Sequence, residues 1–198
     1  MNEAIPGDLQ TETVKRRWRL LRAQVSNHPF LKGMTPTQLA TLTDYAMNTE
    51  FKAGQIIFKE ADAASRFYLI NEGEIALEAE GPDGARILVQ TIDSGDFLGW
   101  SWMFPPYKWH FSARAVEPTT AIFFYATSLR EQCDGDPVLG YKLMNRIAKV
   151  VIERLQTTRR ALLQAWVMSA CGQRAPCHHD RIDADETMSM EGCHLTRT

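Results

Sequence analysis

Three of the five tryptophans, Trp100, Trp102 and Trp109, fall within ten residues of one another. Phe104, Tyr107 and Phe111 stand in the same stretch, and Pro105-Pro106 stiffens it. Aromatic faces at this density can stack on a planar or apolar ligand, with a few polar groups to fix its orientation. Ser101, His110, Ser112 and Arg114 are the available polar anchors, and Gly99 opens the stretch. The same rings could equally pack on themselves and leave a scaffold with no room for a ligand. Both readings stand at this point. The candidate ligand-binding set is Gly99, Trp100, Ser101, Trp102, Trp109, His110, Phe111, Ser112 and Arg114. Arg114 is the weakest member, because it sits in an alternating strand and could point to solvent.

No other residues ask for chemistry. The chain has no Gly-x-Ser-x-Gly, no Walker sequence, no dinucleotide fingerprint and no His-Glu-x-x-His. The expectation is a protein that is not an enzyme and carries no cofactor. Cys171, Cys177, His178, His179, Cys193 and His194 cluster near the C-terminus, and such side chains are good zinc ligands. Their spacing matches no standard structural zinc pattern, so no metal is expected. Cys133 reads as a small buried hydrophobe.

Composition narrows the class. The chain has 198 residues, 44% of them hydrophobic and 23% charged, with a formal net charge of −2. This is the make-up of a globular domain, with no global electrostatic reason to bind nucleic acid or anionic membrane. No apolar run approaches the ~20 residues that span a bilayer, and the N-terminus is too polar for a signal peptide. A cytoplasmic protein with no membrane contact is expected.

The elements that must hold the aromatic stretch follow from periodicity. Residues 1–12, with Pro6 and Gly7, read as a mobile N-terminus. Residues 13–25 read as a basic amphipathic helix. Thr35-Pro36-Thr37-Gln38 predicts a capping box at the start of a second helix. From about residue 48 to 126, short strands alternate with Gly- and Asp-rich turns, which argues for a β-roll or sandwich. Ser128, with Glu131 three residues on, reads as another helix start, and Asp136-Pro137 as the start of a long one. Leu139, Leu143, Ile147, Val150, Val151, Leu155, Leu162 and Trp166 make one apolar stripe over 137–166. A helix of that length reaches ~45 Å, more than a small roll can cover. A homodimer through this helix is therefore expected. Residues 171–198 show no apolar period and read as a disordered tail. The fold class is α+β: an antiparallel, jelly-roll-like β-roll with N-terminal helices and a long C-terminal helix, one domain over 13–170.

In order and spacing, several motifs resemble the cyclic-nucleotide-binding-domain family of catabolite-activator-like regulators. They are His28-Pro29-Phe30-Leu31, Phe51 with Gly54, Ile56-Ile57-Phe58, Phe67-Tyr68-Leu69-Ile70 with Gly73, and Gly95-Asp96-Phe97-Leu98-Gly99. The resemblance covers residues 28–168. It implies a short cassette between two strands that grips a cyclic nucleotide, a glutamate on the ribose and an arginine on the cyclic phosphate. Against that cassette, Gly99 keeps its glycine, Trp100 stands where the glutamate belongs, and Trp109 where the arginine belongs.

An indole offers one N–H and no charge, so the expectation is weak or no binding of cyclic AMP and cyclic GMP. The chain also resembles single-domain members of the family that carry a Gly-Trp-Ser-Trp stretch and no helix-turn-helix. The long helix is followed by about thirty residues without helical period, so DNA reading is not expected. Two functions remain: a ligand-sensing or regulatory binding module, with a small-molecule ligand, or a non-catalytic accessory subunit docked to an NAD-linked oxidoreductase or hydrogenase complex.

Overall fold

The computed structural model describes residues 7–81 and 83–172. The Cys/His-rich segment from residue 173 onward, read above as a tail, lies outside them. The described chain runs α1 (Gly7–Asn27), a 3-10 turn (Pro29–Leu31), α2 (Pro36–Asp44), eight strands, α3 (Ala126–Gly135) and α4 (Pro137–Gly172). The strands are β1 (Ala46–Phe51), β2 (Ile56–Phe58), β3 (Arg66–Glu72), β4 (Ile75–Glu80), β5 (Arg86–Ile92), β6 (Phe97–Leu98), β7 (Ser112–Ala115) and β8 (Thr119–Tyr125). They pair antiparallel in two four-stranded sheets, ordered β1-β8-β3-β6 and β2-β7-β4-β5. This is the expected antiparallel β-roll with a long C-terminal helix.

β3 and β8 are apolar on both faces, and the reason is positional. Tyr68, Ile70, Ala121 and Phe123 face the second sheet and pack with Ile75, Leu77, Ile92, Leu98 and Ala113. Their alternates, Phe67, Leu69, Ile122 and Phe124, pack under the helices, against Val25, Leu42, Leu129, Leu139, Leu143 and Ile147. Side chains alternate faces along a strand, so a strand between two layers must be hydrophobic throughout.

The Thr35 capping box is formed: Thr35 accepts from the Gln38 backbone N–H, and Gln38 accepts from that of Thr35. Asp136 caps α4, accepting from Val138 and Leu139. Ser128 is not a cap. α3 begins two residues earlier, because β8 runs straight into it and Ser65 O already satisfies the Ala126 N–H. Helix α1 starts at Gly7, so residues 7–12 are helical.

α4 extends to Gly172, six residues past the expected end, since no glycine or proline interrupts it after Gly140. Contacts divide the chain into two units, residues 1–160 and 161–198. Of the second part, the described residues are the last turns of α4. Among the described residues, no helix is long and apolar enough to cross a membrane, and no cluster of His, Cys, Asp or Glu could hold a metal.

Candidate functional site

β6 delivers the chain to Gly99, which adopts the left-handed conformation at φ 98°. A 3-10 turn follows over Trp100–Met103, then a loop to β7. A Cβ on residue 99 would stand 2.7–2.8 Å from the Trp109 ring. Glycine is therefore required twice here, for its backbone angle and for the approach of an indole. The loop is pinned along its length. Trp109 exchanges backbone hydrogen bonds with Ala61 and Asp62, both at 2.9 Å, and Tyr107 O accepts from Ala64 at 2.7 Å. Arg130 of α3 donates to Trp102 O at 2.6 Å and lies over the Tyr107 ring at 4.3 Å.

The three tryptophans have distinct roles. Trp109 is 5% exposed and stacks on Phe58, centroids 3.8 Å apart and planes within 11°. Trp102 is fully buried on Phe67, and its Nε1–H finds no hydrogen-bond partner among the described residues. Such an orphan donor costs about 1–3 kcal/mol, which the burial of a large ring outweighs. Trp100 stacks on His110 at 4.6 Å, and His110 Nδ1 lies 2.9 Å from Ser101 Oγ.

The cavity left among Phe58, Leu77, Leu98, Trp109 and His110 measures about 20 Å³. By the same measure one water molecule needs ~10–15 Å³, so there is room for about one water and for no larger ligand. The aromatic rings fill this site rather than framing an empty one.

Gly99, Trp100, Ser101, Trp109, His110 and Phe111 converge there. Trp102 sits beside them in the helix-side core. Ser112 and Arg114 do not belong to the set. They line a separate cleft of about 280 Å³ on the face of the β2-β7-β4-β5 sheet turned away from the inter-sheet core. Ser112 Oγ accepts from the Glu60 N–H at 3.0 Å. Arg114 pairs bidentately with Glu78, and that hydrogen-bonded pairing holds the Glu78 carboxyl below its usual range. Both therefore lie apart from the aromatic loop, since successive side chains along a strand turn to opposite faces.

Sequence reasoning passed over Arg154, which lines the filled cavity and donates to Phe97 O. Burial lowers its pKa, and no carboxylate stands among the residues lining that cavity. Its signal was present. Arg154 falls four residues after Val150 and seven after Ile147, on the buried stripe of α4 rather than its solvated face.

Residues 48–136 match the family model described as Cyclic nucleotide-binding domain. The chain is 25% identical over 131 residues to a CRP-like cAMP-activated global transcriptional regulator of Mycobacterium tuberculosis, covering 66% of this chain and 57% of that one. It is 31% identical over 127 residues to the nitrogen fixation regulation protein FixK of Bradyrhizobium diazoefficiens, covering 64% and 51%. A putative cyclic nucleotide-binding protein from Geobacter metallireducens superposes with a TM-score of 0.60 at 28% identity, covering 69% of this chain and 96% of that one. By the family-model match, residues 48–136 are a domain of the cyclic-nucleotide-binding type. The chain spans little more than half the length of these curated relatives. Within the family fold, the loop between β6 and β7 and the facing stretch of α4 make up the aromatic site described here.

Proposed function

We propose that this chain is a regulatory binding module of cyclic-nucleotide-binding-domain type whose own tryptophan takes the nucleotide's place. The observation that carries the reading is the filled site: Trp109 stacked on Phe58, with about 20 Å³ left over. A cyclic nucleotide needs a volume of several hundred Å³, the range of ordinary ligand pockets. Trp100 and Trp109 stand where the family's glutamate and arginine would grip the sugar and phosphate. Loss of one partner of such a charge-assisted pair costs ~2–5 kcal/mol, tens to thousands of fold in affinity. Arg154 supplies one cation nearby, but its guanidinium is already committed to Phe97 O.

Ligand sensing through this loop would require Trp109 to leave its stack and break both backbone bonds to the Ala61–Asp62 segment. The filled site therefore favours regulation through protein contacts. α4 is the surface for it, pairing with a second copy of the chain. In this reading the module works in the cytoplasm, is not an enzyme, and makes no DNA or membrane contact of its own.

Isothermal titration of the full chain with cyclic AMP and with cyclic GMP tests the proposal. No heat of binding is expected at micromolar protein. Micromolar or tighter affinity for either nucleotide would overturn it.

A further inference from the structure

A second concave site lies away from the aromatic loop, between α1 and the start of β1. It is a cleft of about 360 Å³, lined by Val14, Arg17 and Trp18 of α1, with Tyr45, Met47 and Tyr125 opposite. Its walls are mostly apolar and open to solvent: Trp18 is 46% exposed and Tyr125 43%. Nothing in the site described above uses these residues.

The surroundings of the cleft are cationic. Arg17 lines the cleft and the exposed Lys15 and Arg22 flank it on α1, while Arg16 and Arg19 fall on the opposite face of the helix. Glu12 offsets one of them through its ion pair with Lys15 at 3.2 Å. Arg66 lies over the rings of Phe123 and Tyr125, at 4.6 and 5.9 Å, adding a further cation at the far wall. Asp44 is the acid in the lining. The inner face of α1 is already satisfied, since Leu21 and Val25 are buried in the core. The exposed Val14, Trp18 and Leu20 are therefore surplus to what the fold requires.

We infer that this cleft docks an acidic polypeptide segment carrying a pair of large apolar side chains. The cations at the cleft's edge, Lys15, Arg17, Arg22 and Arg66, are spread over two turns of α1 and the far wall, so the complementary partner is a chain with several negative charges rather than a small ion. The cleft itself is concave and apolar, with room for a pair of bulky side chains, the form of a central anchor pocket beside a charged helix. A lipid surface is planar and favours convex apolar residues over a recess. A nucleic acid would match the arginines but not the aliphatic walls at Val14 and Met47. The site stands independently of the reading given to the aromatic loop.

Fluorescence anisotropy with the full chain tests the inference. The probe is a fluorescein-labelled peptide of about fifteen residues, mostly Asp and Glu, with a central Leu-Phe pair. Binding that strengthens as salt is lowered is expected. Replacing the central pair by Ser-Gly should weaken it about tenfold, and W18A in the protein about as much, as loss of an anchor contact does. The exposed double variant Arg17→Glu/Arg22→Glu should weaken it further and flatten the salt dependence. Circular dichroism of each variant separates lost docking from lost folding. The inference is overturned if the intact peptide does not bind, or if the Ser-Gly peptide binds equally well. It is also overturned if phosphatidylserine vesicles or a single-stranded oligothymidine bind more tightly than the peptide.

Discussion

Gly99 and Trp109 act as one unit, and their coupling can be measured. Removing the indole by Trp109→Ala takes a ring off Phe58 and leaves a void the pinned loop cannot close. Truncations of this kind typically cost 3–5 kcal/mol. Gly99→Ala imposes two penalties: a left-handed backbone angle on a residue with a Cβ, about 1–2 kcal/mol, and a clash with the Trp109 ring at 2.7–2.8 Å. In the Trp109→Ala background only the first penalty remains. The double variant should therefore be more stable than the sum of the singles predicts, by about 0.5–3 kcal/mol in urea unfolding. Strict additivity would mean that the ring does not fill the site in solution.

The composition of this loop was legible from sequence, but which ring fills the site was not. That choice depends on a long-range partner, Phe58, more than forty residues away. Ser112 and Arg114 were misplaced for a local reason, since a one-residue uncertainty in strand register inverts the face. Arg154 was overlooked because its charge reads as a solvated face, although its spacing from Ile147 and Val150 puts it on the buried stripe.

At the scale of the element, the 3-10 turn Pro29–Leu31 depends on a histidine. His28 Nδ1 accepts from the Phe30 N–H at 3.3 Å, so Nε2 carries the proton and donates to Ile70 O at 3.2 Å. The Nδ1 bond needs the neutral ring, whereas Nε2–H can donate in either state. Burial pushes the His28 pKa down, against smaller opposing effects from the Ile70 carbonyl and Asp96. The unfolded chain, with its pKa near 6.5, takes up a proton before the folded chain does. The stabilisation is thus complete above pH ~6.5 and is lost as pH falls from there toward the lowered folded value.

Thermal unfolding should show a melting temperature that declines between pH 7 and pH 5. In His28→Gln that decline should flatten, with lower stability at pH 7 by about 1 kcal/mol, the usual worth of a cap. An unchanged slope in the variant would remove His28 from this role. The other caps show what local sequence can report. Thr35 and Asp136 were readable because their partners lie within three residues. The start of α3 was not, because its first N–H bonds Ser65, some sixty positions upstream.

For the molecule as a whole, α4 presents two apolar faces where a lone helix on a roll needs one. Leu139, Leu143 and Ile147 are buried against the core. Tyr141, Ala148, Leu155 and Leu162 recur at seven-residue intervals and are all exposed, Leu155 by 63% and Leu162 by 67%. Met144, Ile152 and Trp166 flank them and are exposed as well. A strict seven-residue repeat is the pattern of a two-helix seam, and apolar groups at this density are rarely left in water. The sequence stripe merged the two faces, since a list of apolar positions at spacings of three and four does not say which of them meets the roll.

The two faces make opposite predictions. Leu155→Glu/Leu162→Glu should leave the circular dichroism spectrum intact and convert a dimer to a monomer by light scattering. Leu143→Glu should instead unfold the domain, because it buries an unpaired carboxylate. A wild-type chain that is monomeric at micromolar concentration would show that α4 finds its partner elsewhere. The contrast between the variants then becomes the deciding measurement: if Leu155→Glu/Leu162→Glu also unfolds the chain, the exposed repeat is part of the monomer's own core.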